Sequence, residues 1–298
     1  MFRKAERKKA KLRLGILGPS GSGKTYSAIL ITKGLGGKVA LIDTENGSGE
    51  LYSHLMDYDV ATLTAPFSPE KYVQLIHSAE QAGYSALIID SLSHAWSGDG
   101  GVLDMHDKAT AATRNSFTAW REVTPQHNAL VDAILQSRLH IIATMRTKTA
   151  YEVTQDNGKA KVVKVGLAPI QRDGMEYEFT AVFELSVDGH IATASKDRTT
   201  LYDGRHFKPA VETGKELLEW LEAGIDADAA AKEAVKAMVE RISRIDNLFE
   251  LRNWWKKHQL EIEALKLVDK TLVVNAKDSR KAELEKTDQT GKAQSAGG

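Results

Sequence analysis

Short, unbroken apolar runs separated by polar, glycine-containing stretches dominate the first half of the chain. Leu14–Leu17 reads as a strand, Lys38–Ile42 as a second closed by Asp43-Thr44-Glu45, Ala86–Ile89 as a third closed by Asp90, and Leu139–Thr144 as a further one. Strands that are apolar at every position are buried on both faces, as in a parallel sheet. Between them the period becomes helical. Tyr26–Thr32 follows the first run, and Ser68-Pro69-Glu70 supplies an N-cap, a first-turn proline and an acidic first turn for a helix ending near Ala82, before Gly83. Helical segments follow the glycines at 98, 100 and 101 and reach about Ser137. Strands alternating with helices predict an α/β domain with a mostly parallel sheet, whose ligand site lies at the carboxyl ends of the strands.

The pattern then changes. Residues 146–174 alternate about an Asn157-Gly158 turn signal, which predicts an antiparallel ribbon. Gly214–Ala223 reads as a closing helix with Leu217, Leu218 and Leu221 on one face and Gly224 as its stop. From Asp226 onward the chain is rich in alanine and charge. Val235, Met238, Val239 and Ile242, then Leu248, Leu251, Trp254 and Trp255, recur at helical spacing and predict two or three short helices to about Leu284, with the tryptophan pair in their core. The polar stretch from Thr287 has no period and predicts no regular structure. The expected organisation is an arm over 1–11, an α/β core over 12–224, a small C-terminal helical domain over 225–286 and a tail over 287–298.

Chemistry enters at the first strand-to-helix junction. Gly18-Pro19-Ser20-Gly21-Ser22-Gly23-Lys24-Thr25 fits G-x-x-x-x-G-K-[ST] at every fixed position, between a strand and a helix that starts near Tyr26. Such a loop curls its N–H groups into one concavity and adds the positive end of the following helix, so it holds phosphates. Lys24 then reaches the β- and γ-phosphates, and the Thr25 hydroxyl takes a Mg²⁺ position. ATP and Mg²⁺ are the ligands this predicts. Asp90, closing its apolar run, fits the Walker B position beside the metal, and Glu45, one strand over, is the candidate for polarising the attacking water. The nine histidines have no ligand spacing, and His94 beside Trp96 reads as a packed pair.

Charge and composition narrow the classes. The 298 residues carry 40 basic and 40 acidic side chains and no cysteine, so disulfides, thiolate zinc sites and cysteine nucleophiles are excluded. This fits a cytoplasmic protein, as does the lack of a signal core or of any apolar run near the ~18 residues that span a bilayer. Locally, Arg3, Lys4, Arg7, Lys8, Lys9, Lys11 and Arg13 face Glu6 alone, which suits either a flexible arm touching phosphates or a solubilising tail. The ribbon carries Arg146, Lys148, Lys159, Lys161, Lys164 and Arg172 against Glu152, Asp156 and Asp173. Cations on an extended loop neutralise the backbone of single-stranded DNA without reading sequence, and Tyr151 could stack on a base. Trp96 and Trp120 are second candidates for stacking.

Ile42-Asp43-Thr44-Glu45, Leu87–Ser91, Ile141–Arg146, Pro169–Thr180 and Ser195-Lys196-Asp197-Arg198-Thr199 together resemble the phage-encoded AAA ATPases with a RecA-type core, a family associated with recombination and single-strand annealing. The resemblance covers about residues 11–223. It implies a RecA-like P-loop ATPase in a host bacterial cytoplasm that works as a homo-oligomer, with nucleotide between subunits and single-stranded DNA along one face. A phage or host single-strand-binding or annealing protein would be a further partner. By similarity Glu45 is the catalytic glutamate and Asp90 the metal-side acid. RecA carries Asn-Gln, with its γ-phosphate-sensing glutamine, where Thr144, Met145 and Arg146 stand here, so any such relay uses other groups, and Thr144 and Arg146 are the candidates. RecA's long N-terminal helix has no counterpart before Leu12. Lys196-Asp197-Arg198 resembles the element that RecA-like hexameric helicases insert into the next subunit's site, and alternation in an extended turn lets Lys196 and Arg198 reach forward together. Two functions of different class follow: a DNA-dependent ATPase of recombination or annealing, with a helicase-type motor as its variant, or an ATP-driven switch or loader acting on a protein partner.

Overall fold

The computed structural model describes residues 4–156 and 159–295, and the side chains of all of these except 150–165, 227–228 and 287–295. The Asn157-Gly158 turn therefore lies outside the described residues. The chain divides into two compact units, residues 10–223 and residues 1–9 with 224–298.

The larger unit is built on a sheet. Its parallel part runs in the order β3 (Asp59–Thr62), β2 (Val39–Asp43), β4 (Ala86–Asp90), β5 (His140–Asp156), β1 (Arg13–Gly18) and β7 (Ala181–Leu185). β8 (Ala192–Asp197) and β9 (His206–Phe207) continue it antiparallel. Register alternates side chains between two apolar layers. Ile42, Leu87, Ile89, Ile141 and Met145 pack under α2 (Pro69–Gln81) and α5 (Ser116–Gln136), through Tyr72, Ile76, Leu130 and Ile134. Leu14, Ile16, Leu41, Ile88 and Ile142 face α1 (Lys24–Leu35) and α6 (Val211–Glu222), through Ile29, Ile31, Leu217 and Leu221. The expected α/β class with a mostly parallel sheet and a C-terminal helical region is what the chain forms.

Two details differ from the pattern-based reading. β5 does not stop at Thr144 but runs on as one arm of the ribbon, paired antiparallel with β6 (Lys159–Pro169). α6 starts three residues before Gly214, because that glycine serves packing rather than a boundary. A Cβ on Gly34 of α1 would strike the Val211 carbonyl, and one on Gly214 would strike the Ile31 carbonyl, so the two helices touch backbone to backbone.

The smaller unit holds α7 (Ala227–Ser243), α8 (Leu248–Glu263) and α9 (Leu267–Ser295) around Val235, Ile242, Ile245, Leu251, Ile262, Val273 and Leu284. Trp254 and Trp255 are half-buried against this cluster. α9 continues past Thr287, into the stretch whose lack of period predicts no regular structure. The basic arm is not a free tail at Arg7–Lys9: Lys8 bridges to Ile225, and Ile225 N–H donates to the Arg7 carbonyl at 2.9 Å. Among the described residues, no helix is long and apolar enough to cross a membrane.

Candidate active site

The carboxyl ends of β1, β2 and β4 meet at one cleft, beside Arg146 and Thr147 in the middle of β5. After β1 the chain passes through Gly21 and Gly23 at φ +78° and +87°, values glycine adopts without strain, and enters α1 at Lys24. Ser22 Oγ is buried without a hydrogen-bond partner, and Lys24 Nζ donates to the Pro19 carbonyl at 2.9 Å, inside its own loop. Burial lowers the Lys24 pKa, against the pull of Asp90 and Glu45. A half-buried ammonium and an unsatisfied hydroxyl in one loop fit a phosphate.

Asp90 is almost fully buried at the end of β4. Its two oxygens accept from Thr25 Oγ1 at 2.6 Å and from Thr144 Oγ1 at 2.5 Å. Burial raises its pKa, the two hydroxyls oppose that, and Glu45 and Asp43 raise it further. A carboxylate flanked by hydroxyls and two more acids is short of positive charge, which a dication would supply. The set of hard oxygen donors suits Mg²⁺, which binds through one or two carboxylates and keeps places for water and phosphate oxygens. No cluster of three or more His, Cys, Asp or Glu able to hold a metal alone occurs among the described residues.

Glu45 is fixed from two sides. Asp43 accepts its backbone N–H at 2.6 Å and the Gly49 N–H at 3.0 Å, shaping the loop after β2. Arg146 grips its carboxylate as a fork, with Nε and Nη2 at 2.9 and 2.6 Å. Burial pushes the Glu45 pKa up, but the Arg146 hydrogen bonds and charge outweigh it and the net direction is down. From the sequence, Arg146 is a ribbon cation or a stand-in for a γ-phosphate sensor, and Thr144 the other stand-in. The structure puts one on each acid: Thr144 on Asp90 and Arg146 on Glu45.

These groups line a cleft of about 870 Å³, whose further walls are Tyr26, Tyr52, His190 and Lys208. Tyr26 and Tyr52 meet edge to face with centroids 5.9 Å apart, and His190 Nδ1 lies 3.1 Å from the Ser22 carbonyl oxygen. His190 follows β7, the neighbour of the phosphate-loop strand in the sheet. No sequence signal points to Tyr52, His190 or Lys208.

Other assignments lie elsewhere. Lys196 and Arg198 do point the same way, as alternation required, but within this chain both donate to the Tyr177 carbonyl, Arg198 at 3.3 Å. Asp197 faces back, accepting from Thr199 and Tyr202 N–H at 2.7 Å each. His94 is not paired with Trp96. It stacks on Phe67 at 4.8 Å and lies 2.7 Å from Thr44 Oγ1, because residues two apart on a helix face different ways. Trp96 and Trp120 stack on each other, half-buried, with the Arg172 guanidinium 5.8 Å from the Trp120 centroid. Lys148 is exposed. The side chains of Tyr151, Lys159, Lys161 and Lys164 lie outside the described residues.

Comparison with known proteins gives one family match. A model described as an AAA domain matches residues 10–211. No curated protein matches the chain. Among solved structures, a RadB recombinase aligns with a TM-score of 0.34 and 16% identity, covering 60% of this chain and 75% of that one. A type III secretion system ATPase of pathogenic bacteria aligns with a TM-score of 0.35 and 14% identity, covering 76% of this chain and 63% of that one.

Proposed function

The chain belongs to the AAA domain family, and from that premise we propose that it hydrolyses ATP in an oligomer and that single-stranded DNA governs the rate, in recombination or annealing. One observation carries the hydrolytic part. A complete phosphate loop, Asp90 and Glu45 face the same cleft, at the carboxyl ends of β1, β4 and β2. In this reading the loop N–H groups and Lys24 hold the triphosphate, and Thr25 with Asp90 holds Mg²⁺, which when bound offsets charge on the β- and γ-phosphates. Glu45 orients a water and takes its proton as the water oxygen bonds to the γ-phosphorus and the bond from that phosphorus to the bridging oxygen breaks, with ADP leaving. Thr144 keeps the Asp90 carboxylate turned toward the loop.

The DNA part is supported by where Arg146 stands. It is the residue at which β5 leaves the sheet and becomes the ribbon, and its guanidinium neutralises the carboxylate that must accept the proton. A Glu45 held by Arg146 is a poor base. Phosphates of a DNA strand on the ribbon, or of the nucleotide, compete for that guanidinium and release Glu45. Lys196 and Arg198 are then the groups that a neighbouring subunit presents to the γ-phosphate, leaving the Tyr177 carbonyl on assembly.

The deciding measurement is steady-state ATP hydrolysis with and without single-stranded DNA. Strong stimulation is the expected result, and replacing Lys159, Lys161 and Lys164 with alanine should flatten the salt dependence of DNA binding by ~0.7 in log-log slope per lost contact. Turnover indifferent to DNA would favour the switch or loader acting on a protein.

A further inference from the structure

We propose that the helical unit carries a docking groove for an acidic segment of a partner protein, anchored by one large apolar side chain. On α8, Leu248, Leu251, Arg252, Trp255, Lys256 and Gln259 are spaced by threes and fours and share one helix face. With Lys277 and Lys281 of α9 they enclose a groove of about 270 Å³. That is below the ~300–1,000 Å³ of small-molecule sites, and suits a single inserted side chain.

The floor and the rim differ in kind. Leu251 is buried and Leu248 and Trp255 are half-buried, so the floor is apolar. The rim holds four cations and no carboxylate. Lys277 and Lys281 already face Asp278 at 2.7 Å and Glu285 at 3.7 Å. Arg252 and Lys256 are exposed and make no ion pair among the described residues. The groove therefore presents two uncompensated positive charges beside an apolar slot, and its complement is a run of carboxylates with a Phe, Leu or Ile among them. A nucleic acid would supply the charge but not the anchor. Its base would need an aromatic face, and the Lys277 ammonium stands 4.7 Å above the centroid of Trp255.

The test is fluorescence anisotropy of a short labelled peptide of Asp and Glu with one central Phe, titrated with the full-length chain. Binding is expected, weaker by about tenfold or more when Phe is replaced with Ala, when the carboxylates become amides, or when the protein carries Arg252→Glu with Lys256→Glu. Both protein substitutions are at exposed positions, and an unchanged melting temperature would show that the floor is intact. Should that variant melt early, Gln259→Glu, which adds one like charge to the same face, must also weaken the complex. Failure to bind, or binding that ignores these changes, overturns the proposal. So does ready displacement of the peptide by oligothymidylate with no contribution from Phe, which would make the groove a polyanion surface.

Discussion

In the unit spanning residues 10–223, the ends of the strands bury Asp43, Thr44, Asp90, Ser91 and Thr144, while α7, α8, α9 and the α7–α8 connection bury seven apolar side chains and, among the described residues, no polar one. Taking a polar group out of water costs about 1–3 kcal/mol when it is left without a partner. The larger unit offsets much of that cost by pairing Asp90 with two hydroxyls and Asp43 with two backbone N–H groups. The price is that each of these groups has one place to be. The smaller unit keeps most of its charges at the surface, where they remain available to whatever arrives. Fixed polarity suits a reaction, and solvated polarity suits recognition.

The widest separation between the two should come from Lys24→Ala. Turnover should be lost, because the β- and γ-phosphates lose the one loop side chain that meets their charge, while peptide binding by α8 and α9 stays intact. Mixing this protein with Arg198→Ala, also inactive alone, should restore part of the activity if Arg198 serves the neighbouring subunit. No recovery despite demonstrated co-assembly would return Arg198 to a role within its own chain.

Glu45→Gln should retain ATP binding but turn over ~10²-fold or more slowly, as for a lost general base. Arg146→Ala should do the opposite in the absence of DNA and raise the basal rate, since it frees the carboxylate. A fall in both variants would mean that the ion pair only holds the loop in shape.

From the other side, Leu251→Ala should destabilise the helical unit by ~2–5 kcal/mol, the usual range for a buried leucine, and abolish peptide binding without changing basal ATP hydrolysis. A matching loss of hydrolysis would remove the distinction between the units.

The smallest effect should be seen with pH. His140 is buried, its Nδ1 accepts the Leu12 N–H at 3.1 Å, and burial together with Lys11 and Arg13 lowers its pKa from 6.5 to about 4. Its neutral form therefore stabilises the fold fully above pH 6.5, and that contribution is lost as pH falls toward 4. At about 1.4 kcal/mol per unit, the loss is at most ~3 kcal/mol. His140→Asn, which keeps an acceptor and cannot protonate, should flatten the melting temperature across this window.

The phosphate loop and the acids at strand ends were legible because each is set by a local run: a glycine spacing, or an apolar stretch with an acid after it. Strand order is not local. Thr144 and Arg146 reach Asp90 and Glu45 because β4 lies between β2 and β5 in the sheet, and periodicity says nothing about which strands become neighbours. Tyr52, His190 and Lys208 enter the cleft from segments distant in sequence, and no spacing links them to Lys24. The groove between α8 and α9 was half visible, as a helical stripe without its facing wall.

The backbone contact of Gly34 with Gly214, and the place of β1 between β5 and β7, also set a timetable for synthesis. As the chain leaves the ribosome, the strand and helix that frame the phosphate loop come first, and β5, β7 and α6, which flank or cover them, come late. At ~5–20 residues per second they wait on the order of ten seconds or more. For that interval Leu14, Ile16, Ile29 and Ile31 are a sticky, unfinished surface, so crowding by sister chains on one messenger, or a shortage of chaperones, should reduce the yield of soluble protein before any finished molecule is at risk.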